Sequence, residues 1–478
     1  MKDHVGGDSG IQSDCVRGVK NVRGGMKHSV FIQLAELATL TAFASSVWAE
    51  PLERKPNILI ILADDLGFGD VGFNGSVETP TPYIDSLAKN GIVCRNGYVS
   101  CSVCAPSRAG LLSGRYQNRL GFEDNPGPFR QSTDTKLGFP LEQKTIADRL
   151  KTLGYTTGMI GKQHDGTAPE YNPIHRGFDE FYGFNNGASS YFEPGKLVRG
   201  LEPATMQEAY LTDDFGREAV DFIQRHKNNP FFLYVAFNAP HGPMQARKDH
   251  LEKFKHIKDA KRRACVAMIY SMDENIGRIL SELRKNRLEE NTLIFFLSDN
   301  GGGDNMSYNG PLHGEKGELY DGGTHVPFAV QWKGKLPAGK EYEHPVISLD
   351  ILPTAVAAAG GTISNEWKLD GVNLLPYLTG QTQEPPHETL YWRFLSQQAI
   401  RFSGWKLVTP KGSDTELYKI ADDPNETRNV IKESPEVAER LQKQFDTWAA
   451  ELPPPQWGWQ PAYCGKVRID PKSPDKDW

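Results

Sequence analysis

Asn57-Ile58-Leu59-Ile60-Ile61-Leu62-Ala63-Asp64-Asp65 is an almost unbroken apolar run that stops on two adjacent acids. A strand with one wet face alternates apolar and polar residues, whereas a run apolar at every position belongs to a strand buried on both faces, as in a parallel sheet covered by helices. The same texture recurs at Phe231 to Phe237, at Thr292 to Leu297, which ends on Ser298-Asp299-Asn300, and at Val326 to Trp332. Helical stretches alternate with these runs. The alternation predicts an α/β fold, a large and mostly parallel sheet sandwiched by helices, with functional groups at the carboxyl ends of its strands.

The longest helix is expected from about Asp259 to Lys285, because Val266, Ile269, Ile276, Leu280 and Leu283 fall near one face. Asp273 shares that stripe and reads as an acid paired with a neighbouring segment in the packing, not as a catalyst. Near residue 380 the texture changes, and Gly380-Gln381-Thr382-Gln383-Glu384-Pro385-Pro386 reads as a linker. Strand-like pieces follow at Thr389 to Phe394, Ala399 to Val408 and Glu416 to Ile420, then an amphipathic helix from Pro435 to about Leu452. Together they predict a smaller C-terminal antiparallel sheet with a terminal helix. The tail from Pro453, with Trp457 and Trp459, lacks periodicity and is expected to wrap over the body or stay mobile. The expected organisation is a presequence over 1–49, a catalytic domain over 50–380, and a C-terminal subdomain with tail over 381–478.

With 38% hydrophobic and 24% charged residues, the chain can bury a large core and is neither disordered nor collagen-like. A formal charge of -6 gives no general attraction to nucleic acid or to anionic membranes, so an anionic ligand must meet a local cluster of positive charge. No apolar run approaches the roughly 18 residues of a membrane span, so an integral membrane protein is not expected. Met26-Lys27-His28 precedes a moderately apolar stretch from Val30 to Ala44, and Val47-Trp48-Ala49 offers the small residues a signal peptidase reads. Export to the periplasm or medium follows, with Met26 open as the true start. Gln33 and Glu36 interrupt the stretch, and a buried N-terminal helix is the alternative. Six cysteines are too few for a disulfide scaffold. Cys15 falls in the presequence, and bridges among Cys94, Cys101, Cys265 and Cys464 are permitted but not identified. Cys101-Ser102-Val103-Cys104 has C-x-x-C redox spacing without a thioredoxin-like context.

Adjacent aspartates after a buried strand are costly unless something positive compensates them. Asp64 and Asp65 therefore read as metal ligands, and Asp299 with Asn300 would supply further oxygens. Four hard oxygen donors with no histidine or thiolate among them favour calcium, and magnesium after it, over zinc. Either pair alone could simply cap a turn; two such pairs in one chain shift the balance. Pro106 to Leu112 can begin a helix, which places Cys104 near its positive end, where free amides favour an anion and Arg108, one turn on, can point back.

Cys104-Ala105-Pro106-Ser107-Arg108, followed by Ala109-Gly110-Leu111-Leu112-Ser113-Gly114-Arg115, resembles the C-x-P-S-R signature of the type I, formylglycine-dependent sulfatases, a family with the alkaline-phosphatase-like fold. The likeness runs in order from about Lys55 to Asn429. It includes the opening Pro56 to Gly67 block, Thr81 to Ala88, Gly161-Lys162-Gln163-His164, Arg176-Gly177-Phe178-Asp179, Ala239-Pro240-His241, Ser298-Asp299-Asn300-Gly301, Gly314-Glu315-Lys316, and Glu416-Leu417-Tyr418 with Asp423-Pro424. The resemblance implies an arylsulfatase-like sulfuric ester hydrolase whose Cys104 is oxidised to formylglycine by a maturation enzyme. It implies that Asp64, Asp65, Asp299, Asn300 and the converted Cys104 surround one calcium ion. Lys162, His241 and Lys316 would hold the sulfate, while Arg108 and His164 contact the hydrated aldehyde. One hydroxyl of the gem-diol would attack sulfur, and proton loss from the other would regenerate the aldehyde and expel sulfate. His241 is the favoured proton donor to the departing alcohol, with Lys162 second.

Several positions depart from the family pattern. Gln163 stands where tryptophan is common, Asp165 where leucine is, His313 where many relatives carry arginine, and Asp321 for a frequent glutamate. His313 is included among the substrate-binding residues. Gln163, Asp165, His313 and His325 near the expected pocket, with export and an acidic fold, point to a sulfated saccharide rather than a hydrophobic substrate. Sugar identity, sulfate position, exo or endo action and oligomeric state stay open. One alternative is a phosphonate or phosphate ester hydrolase of the same superfamily, although phosphatases usually place histidine where Asn300 stands. Another is a catalytically inactive sulfated-glycan-binding protein, against which the intact Cys104, Arg108 and acids argue.

Overall fold

The computed structural model describes residues 54–126, 137–166 and 168–457. The presequence, Cys15, Trp459 and Cys464 lie outside these residues. In chain order the strands are β1 (Asn57–Asp64), β2 (Ile92–Cys94), β3 (Gly97–Tyr98), β4 (Thr156–Lys162), β5 (Glu180–Phe184), β6 (Leu197–Arg199), β7 (Glu202–Ala204), β8 (Phe231–Pro240), β9 (Thr292–Ser298), β10 (Phe328–Gln331), β11 (Lys340–Tyr342), β12 (Val346–Ile347), β13 (Thr389–Phe394), β14 (Gln397–Phe402), β15 (Trp405–Thr409) and β16 (Glu416–Tyr418). The helices are α1 (Pro82–Lys89), α2 (Cys104–Ser113), α3 (Ile146–Thr152), α4 (Leu211–His226), α5 (Lys248–Lys253), α6 (Ala260–Lys285), α7 (Asp321–Thr324), α8 (Ile351–Ala358), α9 (Leu375–Leu378) and α10 (Pro435–Ala449).

Ten strands form the main sheet in the order β11-β2-β10-β9-β1-β8-β4-β5-β6-β7. Its centre, β9-β1-β8-β4-β5, is parallel throughout. β1 is buried at every position, as its unbroken apolar run requires. Residues Leu59 and Ile61 face a core shared with α4 and α6, and Ile58, Ile60 and Leu62 face one shared with α2, α3 and α8. Each such side chain contributes roughly 1.5–3 kcal/mol on full burial. Asp273 is where the packing argument puts it, on α6, accepting the amides of Tyr83 and Ile84 at the start of α1. Among the described residues no helix is long and apolar enough to cross a membrane.

The structure departs from the sequence reading in three places. The Val326 to Trp332 run forms β10, which lies antiparallel to β9. The stretch Ala399 to Val408 is not one strand but part of a hairpin, because Ser403 and Gly404 both take positive φ and pair Phe402 with Trp405 across a two-residue turn. β4, a central strand, was not expected, since Gly158 and Gly161 break its apolar texture. Both glycines are steric requirements: a Cβ on Gly158 would meet the Phe222 ring, and one on Gly161, at φ +111°, would stand 1.9 Å from the Ala236 carbonyl oxygen.

The C-terminal strands form a four-stranded antiparallel sheet, β13-β14-β15-β16, with α10 packed on it. Trp392, Ile400, Leu417 and Phe445 share one buried cluster with Tyr98, Cys101 and Tyr116 of the main body. Among the described residues Cys94, Cys101, Cys104 and Cys265 are buried and free.

Candidate active site

Four parallel strands deliver the site. Asp64 ends β1 and Asp65 follows it, Lys162 ends β4, His241 follows β8, and Asp299 with Asn300 follows β9. Strand register keeps these ends level, with Asp64 opposite Pro240 and Ala63 opposite Ser298. Helix α2 brings Cys104 and Arg108 to the same place. Asp65 adopts φ +62° immediately after its strand, a conformation aspartate tolerates better than most residues, and its carboxylate sits at the centre of the cluster.

Cys104 Sγ lies 3.9 Å from Asp65 Oδ1. Lys316 Nζ is 2.8 Å and His241 Nε2 is 3.7 Å from Asp65 Oδ2, while Lys162 Nζ is 2.6 Å from Asp64 Oδ2. Arg108 grips Asp299 through Nε at 2.9 Å and a terminal nitrogen at 2.7 Å, and its other terminal nitrogen donates to the Lys162 carbonyl at 3.1 Å. Asn300 Nδ2 donates to Asp65 Oδ1 at 2.7 Å. Three carboxylates and three fixed cations therefore balance one another in a buried place. Burial is uneven: the Asp64, Lys162 and Arg108 side chains are fully enclosed, whereas those of Lys316 and His241 are 20% and 21% exposed, so a ligand enters from the Lys316 and His241 side.

The electrostatics follow from these contacts. Burial raises the Cys104 thiol pKa, but the ammonium groups of Lys162 and Lys316 outweigh it and bring it down to about 7. Asp65 is likewise desolvated, yet Lys316, His241 and Lys162 hold it well below the usual carboxylate range. Burial drives Asp299 up to about 6, against the pull of Arg108. His164 is pushed well below the ordinary imidazole value by burial and then by Lys162 and Arg108, which keeps it neutral.

The donor set fits a hard divalent cation. Ligand atoms of Asp64, Asp65, Cys104 and His241 all lie within 4.8 Å of one another. Asn300 Oδ1 is buried without a hydrogen-bond partner, and Asp64 Oδ1 makes no hydrogen bond, meeting only the Arg108 guanidinium at 3.4 Å; a cation would satisfy both oxygens. Asp299 stands at the rim of this group, with Oδ1 accepting the Asp65 amide at 3.2 Å and Oδ2 on Arg108. The oxygen-rich set matches calcium or magnesium better than a softer ion.

Not every polar residue flagged by sequence meets the cluster. His313 is exposed, its ring stacked on Tyr320 at 4.0 Å, and does not touch the carboxylates. His325 is buried, with Nε2 2.7 Å from the Arg95 carbonyl and its ring against Tyr98. Asp321 is tied to Lys406 and Tyr98, and Gln163 donates to the Tyr171 carbonyl. Asp165 is buried, with Oδ1 unpartnered. Those five therefore shape the surroundings of the pocket rather than line its centre. Two residues that do support the site went unnoticed in the sequence. Asn305 Nδ2 bridges the carbonyls of Asp65 and Pro240, and the Tyr191 hydroxyl donates to the His241 carbonyl at 2.8 Å. Asn305 follows the Gly301-Gly302-Gly303 run, a hint of a tight loop; Tyr191 carries no local signal.

A family model described as Sulfatase matches residues 56–361, and one described as N-sulphoglucosamine sulphohydrolase, C-terminal, matches residues 313–451. The chain is 33% identical over 383 residues to N-acetylgalactosamine-6-sulfatase of Homo sapiens, covering 74% of this chain and 72% of that one. It is 32% identical over 416 residues to the uncharacterized sulfatase YdeN of Escherichia coli strain K12, covering 76% and 73%. The crystal structure of Ps i-CgsB superposes with a TM-score of 0.81 at 36% identity over 86% of this chain and 96% of that one, as does its complex with k-i-k-neocarrahexaose.

Proposed function

Because the chain belongs to the sulfatase family and is a sulfuric ester hydrolase, we propose that it removes sulfate from a sulfated saccharide, using formylglycine made from Cys104 and one calcium ion. The observation that carries this reading is the convergence of Cys104, three carboxylates and three cations at the level ends of β1, β4, β8 and β9. Asp64, Asp65, Asp299 and Asn300 would hold the ion, beside residue 104. Since the fixed charges already balance, a divalent ion leaves the site with two positive charges in excess, which suits an anionic ester. When bound, calcium supplies Lewis-acid stabilisation of charge at the sulfuryl oxygens and the nucleophile.

The protein's own groups divide the remaining work. Lys162 and Lys316 present fixed positive charge to the sulfate, so that charge moving toward the leaving oxygen is met by donors already in place. Arg108 holds Asp299 and the β4 end, which keeps the acidic face rigid. His164, neutral and with Nδ1 unpartnered, can accept a hydrogen bond from the hydrated aldehyde. His241 is the proton donor to the departing alcohol: it stands on the open side where the sugar must lie, whereas Lys162 is sealed against Asp64.

A carbohydrate substrate is supported by the relatives, one named for N-acetylgalactosamine 6-sulfate chemistry and another crystallised with an oligosaccharide. Export and a formylglycine-generating maturation partner belong to the same proposal. The test is sulfate release by fully converted, calcium-loaded protein from a panel of defined sulfated saccharides, with 4-nitrophenyl sulfate and 4-nitrophenyl phosphate alongside. Release from at least one saccharide, and none from the phosphate, is expected. Converted protein that cleaves no sulfate ester would sink the reading.

A further inference from the structure

Helix α2, which starts at Cys104, lacks a cap of its own. Its N-cap residue Val103 has no side-chain acceptor, and Pro106 in the first turn has no amide hydrogen. The acceptor comes from outside the helix: Asn125 Oδ1 takes the Ala105 amide at 3.1 Å. Asn125 is held in turn by the C-terminal end of the described chain. Trp457 Nε1 donates to the Asn125 carbonyl at 3.2 Å, and its ring meets Phe122 edge-on, with centroids 4.8 Å apart, in an apolar cluster that includes Ala105 and Ala109 of α2. Gln456 adds two bonds of 2.8 Å, from its backbone amide to the Gly121 carbonyl and from Nε2 to the Leu120 carbonyl. Arg393 of β13 secures the other end, donating to Glu123 at 3.0 Å and to the Pro453 carbonyl at 3.4 Å.

We propose that residues Pro453 to Trp457 form a strap that positions the nucleophile, with Asn125 as the positioning residue through which it acts; this rests on the reading of residue 104 as the nucleophile. The physical reason is local. A first turn with unpaired amides frays, and a cap fixes both its backbone angles and the direction of the side chain at its first residue. Residue 104 is that first residue, and in-line attack tolerates little displacement, so loosening the turn reduces turnover more than it weakens substrate binding. The expectation that the tail either wraps over the body or stays mobile thus resolves toward wrapping for Pro453 to Trp457, at a place that matters for chemistry.

The experiment uses the full-length protein and three substitutions: Asn125→Ala, Trp457→Phe, which keeps an aromatic ring but removes the donor, and Asn125→Asp, which keeps the acceptor. Turnover of 4-nitrophenyl sulfate is measured per mole of formylglycine at residue 104, with conversion read by mass spectrometry of the peptide. Asn125→Ala is expected to lower kcat by about 10- to 100-fold with KM changed less than about 2-fold. Trp457→Phe should lower kcat by a smaller factor, and Asn125→Asp should restore most of it. Unchanged kcat in Asn125→Ala and Trp457→Phe, or a loss carried by KM, overturns the inference. If Asn125→Ala does not fold, Trp457→Phe against Asn125→Asp decides on the same readout. A converted wild-type protein inert toward sulfate esters overturns the reading of residue 104 and the inference with it, whereas an active wild type with unchanged variants overturns the inference alone.

Discussion

Replacing Lys406 with methionine should destabilise the fold by about 3–5 kcal/mol at pH 8, and by visibly less at pH 6. The Lys406 side chain is fully buried, with Nζ 2.5 Å from Asp321 Oδ1 and 2.9 Å from Glu426 Oε1, so one cation serves two carboxylates where the C-terminal sheet meets the main body. Burial works against the Asp321 charge, but Lys406 and His325 outweigh it and hold its carboxyl well below the usual range. Glu426 is the partner driven upward, by burial first and by the Asp321 charge, with Lys406 opposing. Methionine keeps the length of the lysine stem and removes its charge, which leaves Glu426 to take up a proton. A carboxyl whose folded pKa lies above its unfolded value stabilises the fold fully below the unfolded value, near 4.5, and that contribution is lost as pH rises through the folded value. The slope reaches about 1.4 kcal/mol per pH unit. Because burial already raises Glu426 to about 7 in the parent, only the variant keeps that slope above pH 7, so its deficit should widen by about 1.4 kcal/mol between pH 6 and pH 8. Urea unfolding midpoints at both pH values measure it, and adding Glu426→Gln to Lys406→Met should recover much of the loss at pH 8. Equal deficits at both pH values, or no recovery, would refute this account of the cluster.

Further expectations concern the site. His241→Ala should reduce turnover of sugar sulfates by about 10²- to 10⁴-fold but that of 4-nitrophenyl sulfate far less, because nitrophenolate departs without a proton; equal losses on both would move His241 from proton donor to sulfate binder. Arg108→Lys replaces a fork bonded to Asp299 and the Lys162 carbonyl by a single ammonium, and should lower both melting temperature and kcat, the latter by about 10²-fold. Chelation should lower the melting temperature and added calcium restore it, with about 2.7 kcal/mol of stabilisation when the free ion exceeds its dissociation constant 100-fold. Gly161→Ala should abolish soluble folded protein in an expression test, since no flexible atom can yield where the Ala236 carbonyl stands 1.9 Å from the added Cβ.

What the sequence disclosed was whatever leaves a local pattern. β1 and β9 were legible because burial on both faces forces an apolar residue at every position, and the acids at their ends stood out against that background. Helix α6 was legible from its spacing, to within one residue of its start, where the Asp259 side chain caps the Arg262 amide at 2.7 Å. β4 was hidden because its glycines answer to contacts with Phe222 and Ala236, which are distant in the chain. The Ser403-Gly404 hairpin did carry a turn signal, which the apolar texture on either side outweighed. Within the site, residue types in a familiar order pointed to Cys104, Lys162 and Lys316, which the fold brings to one cluster of carboxylates. Sequence could not reveal that His325 turns inward against Tyr98, or that Asn125, Tyr191 and Asn305 brace the catalytic elements, because those contacts exist only once separated segments meet.

The most direct test follows the chemical state of residue 104. Preparations ranging from unconverted thiol to full formylglycine, made by varying co-expression of the maturation enzyme, would be assayed for sulfate release with the modified fraction measured by mass spectrometry. The account predicts specific activity proportional to that fraction and extrapolating to zero with it. Full-rate sulfate release by protein that carries only the cysteine would contradict it.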